Sequence, residues 1–189
     1  MKYYKGAVKD DMPYNGGSYV DETGFGHEEY NFLERIINTD WIDDYGLIES
    51  GKYCLGYVET KSTRRQKNNQ LHVENIRGLV VPDDTPAVSG VTVVWCATTN
   101  LNETSVMGWY RNANVYRKYQ NFIDHTGDYR SYNVLAKLSD CVLLPSEDRH
   151  VHIWDIPATK KTRAYGFGQS MLWYASEEKA GNYAAICAG

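Results

Sequence analysis

The chain contains no run of eighteen apolar residues, which leaves no membrane-spanning helix. The N-terminus, "MKYYKGAVKDDMPY", has no apolar stretch of signal-peptide type. No C-x-x-C pair is present; Cys54, Cys96, Cys141 and Cys187 stand far apart. That spacing suits neither a disulfide framework nor a zinc site. It suits small buried hydrophobes in a reducing cytoplasm. Gly24-Phe25-Gly26 lacks both the preceding strand and the spacing of a dinucleotide fingerprint, and there is no P-loop, H-E-x-x-H or G-x-S-x-G motif. Phenylalanine is scarce, at four residues, against sixteen Tyr and five Trp. The aromatic content is thus biased toward rings with a polar handle, suited to half-buried sheets and binding surfaces.

What is present is a 189-residue chain of ordinary apolar content, long enough for one domain with a real core. No linker, internal repeat or low-complexity segment divides it, so residues 1–189 read as a single domain. The net charge of −4 argues against a generic polyanion binder. It hides an asymmetry, because residues 1–51 are strongly acidic and the rest of the chain is mildly basic. The basic residues form three acid-free clusters: Lys61-Arg64-Arg65-Lys67, Arg111-Arg117-Lys118 and Lys160-Lys161-Arg163. Such clusters are usually solvated faces; converging in space, they would form a phosphate footprint.

Short strands are expected at Tyr53–Thr60, Gln70–Ile76, Val91–Ala97, Ser105–Tyr110, Val115–Lys118, Ser131–Ala136, Cys141–Leu144 and His150–Trp154. "TTNLNET" reads as the hairpin loop between the third and fourth of these. Residues 28–38 fit a short helix, and Ser176–Ile186 a second one capped by Ser176. The pattern predicts an α+β, mainly β fold: a β-barrel with peripheral helices, with a β-sandwich as runner-up.

Between Ser105 and Gln120, "SVMGWYRNANVYRKYQ" combines one Trp, three Tyr, two Asn and three bases with no acid. Strand alternation places Met107 and Trp109 on one face, and Val106, Gly108 and Tyr110 on the other. Gly108 leaves a gap where a flat group or another backbone can approach. Asn112 and Asn114 suit a turn, and they equally suit an amide contact to a base edge. In "VTVVWC", Val91, Val93 and Trp95 share a face, and Trp95 reads as core. In "GFGQSMLWYA", the adjacent rings of Trp173 and Tyr174 point to opposite faces of a strand. His150 and His152 share a strand face as a metal-ligating pair would, but two His make no site. His27 beside Glu28 and Glu29 fits no metal motif.

Taken in order, "GGSY…GFGHEEYNF", "VTVVWCA", "VMGWYRNANVYR", "CVLLPSEDR" and "GFGQSMLWYA" resemble the N-terminal region of a family of bacterial HNH-endonuclease proteins. The resemblance runs from about Gly16 to Tyr174, and "GWYRNANVYR" is its most specific block. It implies a DNA-reading module placed before a separate nuclease domain. The short-strand pattern is also similar to the PUA-like barrels (the EVE, YTH, ASCH and SRA group) that read modified bases or RNA. No HNH-type cluster follows "LWYA", so the nuclease expected downstream lies outside this chain. Residues 34–52 and Arg64–Asn69 depart from the family pattern.

The resulting expectation is a cytoplasmic nucleic-acid-binding module that recognises a modified base flipped from the duplex. Its partners would be DNA, with RNA as the alternative, and a nuclease domain or subunit, and it would need no cofactor or membrane. A flipped base needs aromatic walls and a few polar edge contacts. Trp109, Tyr110 and Trp173 are the wall candidates, with Asn112, Asn114 and Ser170 for the base edge. Arg111, Arg117, Lys118, Lys160, Lys161 and Arg163 are the phosphate-binding candidates. The alternatives are a metal-dependent nuclease using His150 and His152, and a protein-interaction barrel.

Overall fold

The structure, a computed structural model, describes residues 31–32, 34–37, 50–60, 70–98, 104–123, 127, 129–145, 148, 155–156 and 172–175. It is mainly β and antiparallel: β1 (Glu34–Ile37), β2 (Gly51–Gly56), β3 (Ala87–Thr98), β4 (Thr104–Ile123), β5 (Tyr129–Lys137), β6 (Cys141–Leu143) and β7 (Asp155–Ile156). Its sheet follows the order β1-β2-β5-β4-β3, with β6 and β7 also paired to β4.

Strand β4 organises the rest. One edge pairs with β3 from Thr104 to Tyr116. The other edge pairs with β7 at Thr104–Ser105, with β6 at Gly108–Tyr110 and with β5 at Asn114–Ile123. The β3–β4 pairing expected around "TTNLNET" is present, with Thr98 opposite Thr104. Val115–Lys118 is part of this same strand, not a separate one. Among the described residues the path is open: β1 and β3 are its two ends and do not pair with each other. The expected barrel closure is therefore not present here, because both edges of β4 are already occupied and nothing described joins the outer edges.

Three register shifts interrupt the β3–β4 ladder. One extra residue lies in β4 between Tyr110 and Ala113, where Asn112 adopts a left-handed φ of 49°. A second shift, at Gly90 (φ 76°), adds a residue to β3. The third lies at Met107, between the Trp95–Gly108 and Cys96–Val106 pairs. Each bulge resets the alternation. Strict alternation expected Val106 on the face of Gly108 and Tyr110. The Met107 bulge moves Val106 into the cluster of Trp109, Leu144 and Ile156.

Both faces of the sheet are apolar. On one, Cys54, Val88, Val91, Trp95, Tyr110, Ala113, Val115, Val134 and Ala136 pack with Leu71 and Val73. Tyr53, Leu55, Tyr116, Phe122, Tyr132 and Leu135 form a second cluster. Trp95 is buried core, as its strand position predicts.

Two further expectations are corrected. The short helix over residues 28–38 is strand β1 at Glu34–Ile37, antiparallel to β2. A short apolar run is ambiguous between helix and strand; here the β-branched Ile36 and Ile37 meet an available edge, and pairing wins. The strand expected at Gln70–Ile76 winds into a 3-10 turn at Val73–Asn75. Leu71 and Val73 still reach the core, but the turn is needed to aim Glu74 at Arg117. The helix expected at Ser176–Ile186 and the strand at His150–Trp154 lie outside the described residues.

The bulge at Asn112 is directly testable. Left-handed backbone costs an ordinary L-residue about 1–2 kcal/mol, and a β-branched one the most. Asn112→Val should lower the unfolding free energy by about that amount in a denaturant titration. Asn112→Gly should stay close to the parent.

Candidate functional site

Beyond Gly56 the chain leaves β5, and side chains replace the lost ladder. Tyr57 N–H donates to Asn31 Oδ1 at 2.9 Å. Val58 N–H donates to Asn133 Oδ1, and Asn133 Nδ2 returns a bond to the Val58 carbonyl. Thr60 N–H donates to Tyr119 Oη, and the Tyr119 ring stacks on Tyr57 at 5.2 Å. These bonds fix the Gly56–Tyr57 peptide under the edge of Trp95. A Cβ on Gly56 would stand 2.8 Å from Trp95 Cη2.

The gap expected at Gly108 is filled from both directions. A Cβ there would stand 2.7 Å from Phe32 Cζ and would run into the Val142 carbonyl oxygen. The flat group is thus Phe32, and the second backbone is β6. Phe32 meets the Tyr110 ring edge-on at 5.4 Å, and Trp95 meets the same ring at 5.3 Å. Three polar atoms on Phe32's neighbour Asn31 and on the rings of this cluster are buried and make no hydrogen bond: Asn31 Nδ2, Trp95 Nε1 and Tyr110 Oη. Asn31 is 1% exposed and Tyr110 0%. Burial, with Cys54 and Cys141 nearby, pushes the Tyr110 hydroxyl well above its ordinary range, so it stays protonated. An unsatisfied buried donor costs about 1–3 kcal/mol, so these three are an unusual load. At the slot's far side, hydrogen bonding with Cys54 and burial push the Cys141 thiol up, which keeps it an inert thiol.

On the opposite face, Trp173 packs against Trp109, Val106, Leu144 and Ile156, with Val94, Cys96 and Val142 around them. Trp109 and Trp173, far apart in sequence, therefore belong to one cluster. Tyr110 faces the other way, and so does Leu172. Tyr174 continues past the sheet, where its hydroxyl oxygen accepts from His72 N–H at 2.8 Å.

Arg117 belongs to a structural network. It is 6% exposed. Its Nη2 donates to Glu74 Oε2 at 2.6 Å and its Nε to the Thr85 carbonyl at 2.8 Å. Its own N–H reaches the Pro86 carbonyl, and its carbonyl accepts from Leu71 N–H. His72 Nδ1 pairs with Glu74 Oε1 at 2.8 Å. Burial raises the Glu74 carboxyl, but the Arg117 and His72 hydrogen bonds outweigh it and lower the group to about 2. Arg117 clamps residues 71–86 to β4, and its guanidinium is not available to phosphate.

The remaining candidates divide simply. Asn112 is exposed at the bulge, and Asn114 and Arg111 are half-buried. Lys118 is exposed. Arg111 and Lys118 lie roughly 20 Å apart along the strand, too far to share one phosphate. Ser170, Lys160, Lys161, Arg163, His150 and His152 lie outside the described residues. Among the described residues no group of three or more His, Cys, Asp or Glu is placed to hold a metal ion. No described helix is long and apolar enough to cross a membrane. Cys54, Cys96 and Cys141 take part in no disulfide; the first is buried and the others half-buried.

Sequence reasoning missed Asn31, Phe32, Glu74 and a recess of about 450 Å³ lined by Ser50, Gly51, Lys52, Lys137, Leu138 and Ser139. Only Gly108, whose missing side chain implied a flat neighbour, carried a signal for the slot. No family model, no curated protein and no solved structure matches the chain.

Two outcomes follow from this geometry. Because the folded Glu74 carboxyl is lowered, its contribution is complete above the unfolded value near 4.3 and is lost as pH falls toward about 2. Arg117→Met leaves the half-buried Glu74 carboxylate with His72 alone, and should cost about 1–2 kcal/mol at pH 7 and much less near pH 2. Paired urea titrations at the two pH values read this difference. In contrast, Tyr110→Phe deletes a hydroxyl that bonds to nothing, and should raise stability by up to about 1 kcal/mol.

Proposed function

We propose that this chain is a nucleic-acid-binding module that reads a modified base flipped from DNA, acting as the reader of an HNH-type restriction system. The placement of Trp109 and Trp173 in one cluster carries the reading. Trp173 is half-exposed there and offers a ring for stacking, which is worth about 1–3 kcal/mol per base. Lys118, on the same strand as Trp109, is exposed and would serve as a phosphate contact, with half-buried Arg111 as a further candidate. Lys160, Lys161 and Arg163 would complete the set. Arg117 leaves it, because Glu74 holds its guanidinium. A PUA-like barrel is the finer form we propose for this fold.

Phosphate contacts supply most of the affinity and make it salt-dependent, so a modest positive surplus gives weak, salt-sensitive binding. A tethered nuclease domain or partner subunit would then add avidity. Exposed Ile123 and Tyr129, paired across the end of the β4–β5 hairpin, favour a second reading as a protein-interaction surface.

Binding to duplexes differing only in methylation tests the proposal. The modified duplex should bind more tightly, and Trp173→Ala should lose about 1 kcal/mol or more of that binding while staying folded. Lys118→Ala should reduce the slope of log affinity against log salt by about 0.9. Equal binding of all duplexes sinks the modified-base reading. A salt slope near zero turns the assignment to the protein-interaction surface.

A further inference from the structure

Phe32 is an ill-matched occupant of the slot it fills. Gly108 supplies a floor without a side chain, and Trp95 and Tyr110 supply aromatic walls. Such a floor admits a flat ring and little else. Trp95 Nε1 and Tyr110 Oη, both in the buried aromatic cluster, can each donate a hydrogen bond, as can Asn31 Nδ2. Asn31 is anchored through Oδ1 to Tyr57 N–H, while the Cζ2–Cη2 edge of the Trp95 six-membered ring lies over Gly56. A phenyl ring has no acceptor in its plane for any of them. A heteroaromatic ring has the same shape and does have such acceptors.

We infer that this slot is a binding site for a flat heteroaromatic ring carrying hydrogen-bond acceptors, and that Phe32 occupies it until the ligand displaces it. The site is on the opposite face of β4 from Trp109 and Trp173, so it stands whether or not those rings read nucleic acid. Tyr110 meets a ring in Phe32's place edge-on, and Trp95 backs Tyr110 in the same way. Orientation comes from the three donors, which the ligand's ring nitrogens or carbonyl oxygens would satisfy. The same chemistry is offered by a free nucleobase and by a base within a strand.

Pyrimidine and benzene, two rings of the same shape, separate this from plain core packing. The Phe32→Ala variant of the full chain opens a ring-sized space, and NMR titration reads both affinities. Pyrimidine should bind at least tenfold more tightly than benzene, and adding Tyr110→Phe should weaken pyrimidine several-fold while leaving benzene unchanged. Wild type should bind pyrimidine more weakly than Phe32→Ala, because Phe32 must first leave. A simple apolar cavity takes benzene in preference. Benzene binding as well as or better than pyrimidine overturns the inference, as does binding of neither ring. If Phe32→Ala does not fold, Phe32→Val serves with the same two probes and the same outcomes. Cytosine, offered free and within a short single strand, then identifies the source: the tighter of the two names it, and failure of both overturns the inference.

Discussion

Strand β4 is hydrogen-bonded along both edges, to β3 on one side and to β7, β6 and β5 in turn on the other. Every backbone group it buries must find a partner in one of those ladders, so the strand cannot rotate or slip to suit its side chains. The side chains are instead redistributed by bulges. Two interruptions in β4, at Met107 and at Asn112, decide which aromatic ring meets which face. Trp109 goes to the β6–β7 side and Tyr110 to the β2–β5 side. The Arg117–Glu74 clamp then ties the 71–86 connection to the strand just beyond its last β3 pair.

The local elements were legible where a period-2 pattern ran long enough. β3, the first half of β4, and β5 follow from alternation of Val, Trp and Tyr, and the β3–β4 pairing follows from the polar stretch between them. The length of β4 was not legible, because Arg111–Asn114 looks like the end of a strand. Physically, it is a bulge that Asn112 makes possible, and the strand resumes after it. The Glu34–Ile37 strand was not legible either. Its short apolar run fits a helix as well, and only the free edge of β2 decides between them.

The candidate site divides along the same line. Gly108 signalled a close flat neighbour from sequence alone, since a missing side chain on an apolar strand needs something to fill its place. That the neighbour is Phe32, joined by Asn31, depends on contacts across most of the chain, which no local pattern encodes. Arg117 shows the reverse failure. In sequence it belongs to a basic cluster, and in space it is spoken for by Glu74. Charge clustering along a chain says nothing about which charges are already neutralised.

Two aromatic sites on opposite faces of one strand follow from this arrangement. The face with Trp109 and Trp173 presents a half-exposed ring to the outside, and the face with Trp95 and Tyr110 holds buried donors around Phe32. Those donors lack partners until a ligand supplies them, and the indole N–H resonance of Trp95, assigned by comparison with Trp95→Phe, tests this most directly. In the ligand-free protein this proton should exchange slowly with solvent and show no downfield shift from hydrogen bonding. A downfield, hydrogen-bonded resonance, or rapid exchange with water, would contradict the account.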